Sequence, residues 1–348
     1  MIGGIFKVEG KLSENNNLIE KLKKDGDIQF LMSGRCALSH CLRDYIAEGG
    51  IPRAYVPVYT CETVLAPFLQ LGFELSFYDV TKDFEPIFDD DLLASTPLVL
   101  FTGYYGFIRY SEKDLLKVKQ NGNCIIQDMT HTLLNDEPYS VYADFVAGSF
   151  RKWIGVVSGG VAIKKDGKFK SEPTKIHEEH VSLRHQALSM ASDCQSLDST
   201  DKVFWSGEML LREIFENQES DPESIAVVTH FNAAEVIKRR RENYRYLASK
   251  LKTLKEIELA FPELKEGETP SHLSIYSSDR DELQKYLREN MVKTTVYWPK
   301  GPAIPENKTY QADYIFNNIL SVPIDQRYSF KEMDTIFDKI TEFYNSGS

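Results

Sequence analysis

The strongest constraint on the fold is a regular alternation of short apolar runs and helix-like segments between residues 35 and 163. The apolar runs are rich in β-branched and aromatic residues, as buried strands are. The candidate strands are RAYVPVY, FELSFYDV, PLVLF, NCIIQD and ADFVAGSF. The candidate helices are CALSHCLRDYIAEG, CETVLAPFLQLG and YSEKDLLKVKQNG. This alternation predicts an α/β fold in which helices flank a mostly parallel sheet.

Two of the candidate helices end at Gly49 and Gly72, and a glycine at that place favours a left-handed C-cap. The pattern changes after Gly167. Residues 168–202 are polar, and we interpret them as a loop that leads to the amphipathic segment WSGEMLLREIFENQ. The long helix FNAAEVIKRRRENYRYLASKLKTL follows, with RRRENY expected on a solvated helix face.

The C-terminal part of the chain has the pattern of a small α+β unit. Its candidate strands are HLSIYS, KTTVYW and ILSVPI, and its candidate helices are DRDELQKYLRENM and FKEMDTIFDKITEFY. We therefore expect a large α/β domain over residues 1–250, which includes the long linking helix. A small C-terminal domain is expected over residues 251–348.

The charge balance excludes two classes of partner. The formal net charge is −11, from 41 Lys and Arg against 52 Asp and Glu. Non-specific binding to nucleic acid or to an anionic membrane needs a basic excess, so we expect neither partner. Any phosphate group must therefore be bound by a local cluster of residues.

The five cysteines are scattered along the chain and show no spacing typical of a disulfide framework or a metal site. They are Cys36, Cys41, Cys61, Cys124 and Cys194. The start MIGGIFKVEG lacks the pattern of a signal peptide, and no apolar run is long enough to span a membrane. We expect reduced thiols, no bound metal and a cytoplasmic protein.

A first candidate for site chemistry is SGRCALSHCL, in which Ser33 and Gly34 precede a helix. The first backbone N–H groups of a helix and its dipole can bind a phosphate. A Ser-Gly pair in this place is also an ordinary helix cap, and taken alone it favours that interpretation.

A second candidate is IIQDMTH, an apolar strand that ends on Asp128, with His131 three residues later. A carboxylate at a strand end can keep a proton on a heteroaromatic nitrogen. The alternative is a turn or helix cap, which the residues alone favour. His131 by itself is typical of a partly buried structural histidine.

A third candidate is SFRKWIGVVSGG, where Ser149, Arg151 and Lys152 precede the pair Gly159-Gly160. A lysine at the end of a buried strand can be desolvated and become a nucleophile that reacts with carbonyl groups. The alternative is a solvated Arg-Lys turn. The order of the three candidates, with Lys152 24 positions after Asp128, matches the layout that holds pyridoxal 5'-phosphate (PLP).

With these motifs the chain resembles the DegT/DnrJ/EryC1/StrS family of PLP-dependent sugar aminotransferases, which have the PLP-transferase fold of type I. The motifs that carry the resemblance are SGRCAL, VPVYTCETVLAPFLQLGFELSFYDV, GYYG, IIQDMTH and SFRKWIGVVSGG. A weaker similarity continues through RRRENY and LSVPIDQRY.

The resemblance implies a role for individual residues. Lys152 would be the catalytic lysine that holds the cofactor covalently, and Asp128 the catalytic partner of the pyridine nitrogen. The backbone of Gly34 and Arg35, together with Ser149, would bind the cofactor phosphate. The presence of Lys152 argues against the dehydrase members of the family, which have histidine at this position.

Several features depart from the family pattern. Cys61 stands where members have an aromatic residue that stacks on the cofactor ring, so Tyr59 or His131 is expected to cover the ring instead. The loop that reaches the phosphate site of the partner subunit is not evident, and Ser224 is the nearest candidate for it.

The resemblance implies transfer of an amino group from an amino acid, glutamate in the first place, to a nucleotide-linked keto-sugar. Such an enzyme would serve surface polysaccharide or related sugar biosynthesis and would work as a homodimer. The polar segment carries His177, His180, Arg184 and His185, which suits either a loop over a phosphorylated ligand or a solvated connection.

Two alternatives to the sugar aminotransferase remain at this point. The first is a type I PLP enzyme that acts on a small amino acid or amino alcohol. The second is a non-catalytic α/β protein in which Arg151 and Lys152 only bind an anion.

Overall fold

The alternating segments form one eight-stranded sheet in a computed structural model of the protein, which describes residues 1–8, 16–24, 26–192, 197–214, 216–306 and 308–346. The strands are β1 (Asp27–Leu31), β2 (Arg53–Pro57), β3 (Glu74–Val80), β4 (Pro86–Ile87), β5 (Leu98–Thr102), β6 (Cys124–Asp128), β7 (Phe145–Ser149) and β8 (Gly160–Lys164). Their order in the sheet is β1-β8-β7-β6-β5-β2-β3-β4.

The centre of this sheet is parallel and its margins are antiparallel. Strands β3, β2, β5, β6 and β7 pair in parallel. Strand β8 is antiparallel to both β7 and β1, and the short β4 is antiparallel to β3. The predicted class, a mostly parallel sheet with flanking helices, is confirmed.

Helices flank this sheet or follow it in the chain. They are α1 (Leu18–Lys23), α2 (Gly34–Ala47), α3 (Glu62–Gln70), α4 (Asp90–Ser95), α5 (Glu112–Gln120), α6 (Glu178–Ser192), α7 (Leu197–Glu213), α8 (Pro222–His230) and α9 (Ala233–Leu251). Gly49 and Gly72, just after α2 and α3, have φ values of 91° and 75°, which is the left-handed conformation expected at these helix ends.

The interpretation of residues 168–202 as a loop is wrong, because α6 occupies 178–192 and α7 begins at residue 197. The buried face of α6 includes polar side chains, among them His180 and Arg184, which are 0% and 4% exposed. A helix that buries polar groups lacks the apolar periodicity by which helices are found in a sequence.

The C-terminal part contains a second, three-stranded antiparallel sheet with the order β11-β10-β9. Its elements are β9 (Glu258–Leu259), β10 (Leu273–Tyr276), α10 (Arg280–Glu289), α11 (Asp313–Asn318), β11 (Ile319–Val322) and α12 (Phe330–Ser346). The predicted strand KTTVYW is wrong, since it makes only a single bridge from Thr295 to Ser321. The division of the chain at residue 250 stays a prediction.

The long helix α9 is buried where a solvated face was expected. Arg240 is 1% exposed, and its guanidinium donates to the carbonyl oxygen of Ser271 at 2.8 Å and to the side chain of Gln326 at 2.9 Å. Asn243 is fully buried and donates to the carbonyl oxygen of Ile324 at 3.2 Å. These two residues of RRRENY therefore connect α9 by hydrogen bonds to the segments around the second sheet.

A buried ion pair fixes α2 against the sheet. The ammonium of Lys164, in β8, lies 2.7 Å from Asp44 and 2.6 Å from Glu48. The other oxygen of Asp44 accepts the N–H groups of Lys170 and Ser171. Burial raises the pKa of Asp44, but these hydrogen bonds outweigh burial and hold the pKa below its usual range.

None of the described helices is long and apolar enough to cross a lipid bilayer.

The Asp44 pair predicts the effect of one substitution on stability. Asp44→Asn removes the buried one of the two carboxylates that face Lys164 and leaves the partly exposed Glu48, and breaking a buried pair costs up to about 3–5 kcal/mol. We expect the free energy of unfolding, measured by urea titration, to fall by about this amount. Glu137→Gln, at the exposed Lys24 pair, is the control, with an expected loss of at most about 1 kcal/mol. Equal losses in both variants would contradict this role of Asp44.

Candidate active site

A cavity of about 380 Å³, called here the central cavity, opens where the parallel strands end and α2 begins. Seven of the residues predicted for cofactor binding or catalysis line it, although they come from different parts of the chain. They are Gly34, Arg35, Cys61, Asp128, His131, Ser149 and Lys152. The position agrees with the general rule that ligands of α/β sheets bind at the carboxyl ends of the strands.

The start of α2 forms one wall of the central cavity. Ser33 caps the helix, and its hydroxyl accepts the N–H of Cys36 at 3.2 Å. A Cβ atom on Gly34 would lie 3.1 Å from the Cβ of Ser149. Glycine therefore allows the helix start and the end of β7 to approach closely. The helix dipole and the Ser149 hydroxyl together suit an anion.

Asp128 is the last residue of β6 and is 8% exposed. One of its carboxylate oxygens accepts the N–H of Thr130 at 2.8 Å. Burial raises the pKa of Asp128, whereas the hydrogen bonds from Thr130 and the charge of Lys152 oppose that rise. A buried carboxylate of this kind can hold a proton on a nitrogen heterocycle bound beside it.

Lys152 ends a short 3-10 turn, Phe150–Lys152, that follows β7. Its side chain is exposed to the cavity, and its ammonium lies 5.5 Å from the centre of the Tyr297 ring. The sequence predicts a lysine that can be desolvated, whereas in the structure the side chain of Lys152 is exposed to solvent. Lys152 also lines a second cavity, so it stands between the two.

The turn that carries Lys152 is held from three sides through Trp153. The carbonyl oxygen of Trp153 accepts hydrogen bonds from Arg240 at 3.2 Å and from Gln326 at 2.8 Å. Its indole N–H donates to the carbonyl oxygen of Thr130 at 2.8 Å. The turn is thereby tied to α9, to the segment after β11 and to the segment that carries Asp128.

Of the two rings predicted to cover the cofactor, His131 lines the central cavity, whereas Tyr59 lies in the core. Tyr59 is fully buried, and its hydroxyl is 2.7 Å from that of Tyr105. Nδ1 of His131 accepts the N–H of Tyr105 at 3.3 Å. Burial lowers the pKa of His131 well below its ordinary value, with smaller contributions from Lys152 and His272, so the ring is neutral at neutral pH.

Cys61 is the N-cap residue of α3, and its sulfur is 3.0 Å from the hydroxyl of Thr63. Two aromatic side chains that the sequence analysis did not select, Tyr297 and Trp298, also line the central cavity. Trp298 lines the same cavity, with its ring centre 5.4 Å from that of His131. Trp298 belongs to the segment KTTVYW, whose composition predicts a strand and gives no indication that the segment lines the site.

Other candidates have different places in the structure. The hydroxyl of Ser224 accepts the N–H of Ser158 at 3.0 Å inside the protein, so Ser224 does not reach out toward a partner. Arg184 lines both the central cavity and the second one, whereas His185 lines a separate pocket along α6. Sequence reasoning missed Glu208, which lines the central cavity from α7 and contacts Arg151 and Arg184.

The second cavity has a volume of about 330 Å³ and a basic lining. Its cationic side chains are Arg151, Lys152, Arg184, Arg240, Lys293 and Arg327. Its carboxylates are Asp201, Glu208 and Asp325. An excess of cations here, in a chain with a net charge of −11, favours an anionic ligand. Within the described residues no group of three or more His, Cys, Asp or Glu side chains is arranged to hold a metal ion.

Solved structures with the same fold cover nearly the whole chain. Sugar aminotransferase CalS13 from Micromonospora echinospora is 14% identical with a TM-score of 0.65, over 98% of this chain and 100% of its own. Spr1654 from Streptococcus pneumoniae, in its PLP form, is 17% identical with a TM-score of 0.66, over 97% and 92%. Helicobacter pylori PseC, an aminotransferase involved in pseudoaminic acid biosynthesis, is 12% identical with a TM-score of 0.66, over 99% and 100%.

These similarities establish the PLP-transferase fold of type I. No curated protein matches the chain in sequence. The model of the DegT/DnrJ/EryC1/StrS aminotransferase family matches residues 225–341. This match agrees with the predicted resemblance to the family. It lies in the C-terminal third, whereas most of the motifs that suggested the family lie before residue 163.

The buried histidines of the site predict a loss of stability in acid. Burial lowers the pKa of His272 to about 3 and that of His131 well below its usual value. In the unfolded chain both imidazoles take up a proton below pH about 6.5, whereas in the folded protein they stay neutral to a lower pH. We expect the free energy of unfolding, measured by urea titration, to fall as the pH decreases from 7 to 5.

A variant isolates the contribution of one ring. In His272→Asn the fall in stability between pH 7 and pH 5 should be smaller than in the parent protein. His185→Asn, at an exposed position on α6, is the control that also loses one imidazole. A pH dependence that is unchanged in His272→Asn would contradict the assignment.

Proposed function

We propose that the protein is a PLP-dependent aminotransferase that moves an amino group from an amino acid, glutamate in the first place, to a nucleotide-linked keto-sugar. One observation supports the PLP chemistry above all. The amine of Lys152 and the buried carboxylate of Asp128 line one cavity, beside a helix N-terminus suited to a phosphate. The family match and the sugar aminotransferases of the same fold support the sugar acceptor.

The residues of the central cavity fit the cofactor that the family implies. A cavity of about 380 Å³ is within the usual range for small-molecule sites. Gly34 leaves room for a phosphate at the start of α2, where a side chain would meet Ser149. When bound, PLP supplies a reactive carbonyl carbon and a ring that withdraws electrons. Asp128 would face the ring nitrogen, and Lys152 would hold the cofactor through its amine.

The proposed roles of these residues follow from their positions. Asp128 keeps a proton on the ring nitrogen because its negative charge stabilises that proton in buried surroundings. Lys152, when its amine is free, would serve as the base that takes up and returns a proton at Nζ. Trp153 positions Lys152 for this work through its three hydrogen-bonded contacts.

The expected assembly and location are also part of this proposal. Trp205 and Met209, one turn apart on α7, are 55% and 53% exposed, which favours a contact with a second subunit in a homodimer. Cys36, Cys41, Cys61 and Cys124 are free thiols, as expected in the cytoplasm. Cys194 lies outside the described residues.

One observation favours the alternative of a small substrate. The N-terminal segment forms a wall of the second cavity and is tied to the C-terminal part of the chain. Arg327 donates to the carbonyl oxygens of Ile5 at 2.8 Å and Gly4 at 3.3 Å. A cavity of about 330 Å³ with this wall suits an amino acid or keto acid better than a whole nucleotide-sugar.

The cofactor assignment predicts the behaviour of Lys152→Ala. The purified parent protein should absorb visible light through its covalent link to PLP, and borohydride reduction followed by peptide mapping should place the cofactor on Lys152. The variant should lose this link and all detectable transamination, because no other amine occupies this position. Lys168→Ala, at an exposed lysine after β8, is the control and should behave like the parent. Cofactor found on another lysine would refute the assignment.

The acceptor is tested with ligands rather than variants. Uridine or thymidine diphosphate at 100 times its dissociation constant should stabilise the fold by about 2.7 kcal/mol, which raises Tm by several degrees. A panel of nucleotide-linked keto-sugars, with glutamate as donor, should then give turnover. If no nucleotide diphosphate shifts Tm and a small keto acid reacts instead, the small-substrate alternative is correct.

A further inference from the structure

Helix α7 places one carboxylate between two arginines at the edge of the central cavity. The guanidinium of Arg151 donates to Oε1 of Glu208, and that of Arg184 donates to the same oxygen at 3.2 Å. The side chains of Arg151 and Arg184 are only 11% and 5% exposed. Glu208 therefore fixes both guanidinium groups in place.

A third arginine joins this group from the start of α2. The guanidinium of Arg35 donates to the carbonyl oxygen of Leu211, three residues after Glu208 on α7. Arg35 lies close enough to interact electrostatically with Glu208 and Arg151. We call Arg35, Arg151, Arg184 and Glu208 the arginine cluster. It contains three positive charges and one negative charge.

Glu208 carries one negative charge and contacts the guanidinium groups of both Arg151 and Arg184. Burial lowers the pKa of Arg184 to about 9, and the neighbouring Arg151 adds to this effect. Burial raises the pKa of Glu208, but Arg151 and Arg184 outweigh it and lower the pKa to about 2. Buried charges are normally paired, because their removal from water is costly. An ionised Glu208 offsets only one of the two guanidinium charges, so Arg151 and Arg184 keep an excess of positive charge that suits an anion.

The arginine cluster lies at the same cavity as the start of α2. All three arginines line the central cavity together with Gly34 and Ser149. A phosphate monoester carries a charge of about −1.5 to −2 near neutral pH, and guanidinium groups are well suited to bind it. We propose that Arg35, Arg151 and Arg184, positioned by Glu208, bind the phosphate of the cofactor from within a single chain.

This inference rests on the proposed function, since it concerns the phosphate of PLP. It accounts for a feature of the sequence, in which the loop expected to reach the phosphate site of a partner subunit is not evident and Ser224 is buried. Helix α7 supplies Glu208 in the same chain instead. Phosphate binding would then not depend on a residue of the second subunit.

The same chemistry could also serve an anionic group of a substrate, because Arg151 and Arg184 line the second cavity as well. Arg35 argues for the cofactor phosphate, since it lines the central cavity and is not part of the second. These two possible ligands can be distinguished by removing a charge from the arginine cluster. If the cluster binds the cofactor phosphate, the affinity for PLP falls. If it binds an anionic substrate group, the affinity for substrate falls.

The test compares PLP with pyridoxal, which lacks the phosphate. Dissociation constants for both are measured by equilibrium dialysis on the parent protein, Arg184→Gln, Arg35→Gln and Arg184→Lys. We expect the two glutamine variants to bind PLP about 10- to 100-fold more weakly, as for loss of a charged hydrogen bond, with pyridoxal affinity unchanged. Arg184→Lys should retain part of the affinity. Lys293→Gln, which lines only the second cavity, is the control with unchanged PLP affinity.

A second measurement uses the protein without cofactor. Inorganic phosphate should raise the Tm of the parent protein, and this rise should be smaller in Arg35→Gln, whose side chain is only half-buried. This result would support the inference even if PLP did not bind to Lys152. The failure of PLP to bind to Lys152 would refute only the proposed function.

Three outcomes would overturn the inference. The first is unchanged PLP affinity in both glutamine variants. The second is an equal loss for PLP and pyridoxal, which would indicate general damage to the cavity. The third is unchanged PLP affinity with a raised KM for an anionic substrate, which would assign the arginines to the substrate.

Discussion

The parallel pairing of the central strands is the constraint on which the site depends. Asp128 lies opposite Thr102 in β5 and opposite Ala147 in β7, two residues before Ser149. Because parallel strands end at the same edge of a sheet, this register brings the Asp128 carboxylate next to the turn that carries Lys152. Residues 24 positions apart in sequence thereby line one cavity.

The electrostatics of the site oppose those of the chain as a whole. The protein has a net charge of −11, yet arginines line both cavities, and Arg184 and Arg240 among them are buried. Each is held by specific partners, as Arg240 is by the carbonyl oxygens of Trp153 and Ser271. The same arginine contacts the residue that follows Lys152, so a charge that favours an anionic ligand also supports the segment proposed to carry the catalytic lysine.

Much of the fold and of the site could be predicted from local sequence. The five candidate strands before residue 150 are all strands, because apolar β-branched runs bounded by turns form buried strands in most contexts. Asp128, Ser149 and Lys152 stand at the ends of such runs, and strand ends meet at one edge of the sheet. Even Gly49 and Gly72 have the φ values that their positions after helices imply.

Only the tertiary structure determined which polar residues become buried. His180, Arg184 and Arg240 are predicted as solvated or loop residues from the sequence, and the partners of the two arginines lie far away in the chain. Glu208 meets Arg184 across the pair α6 and α7, 24 residues apart. Trp298 looks like part of a strand, but its segment lines the cavity. The sequence by itself determined the order of strands and helices and the residues at their ends, since these depend on neighbours along the chain. The charge partners and aromatic walls of the site depend on contacts that exist only after folding.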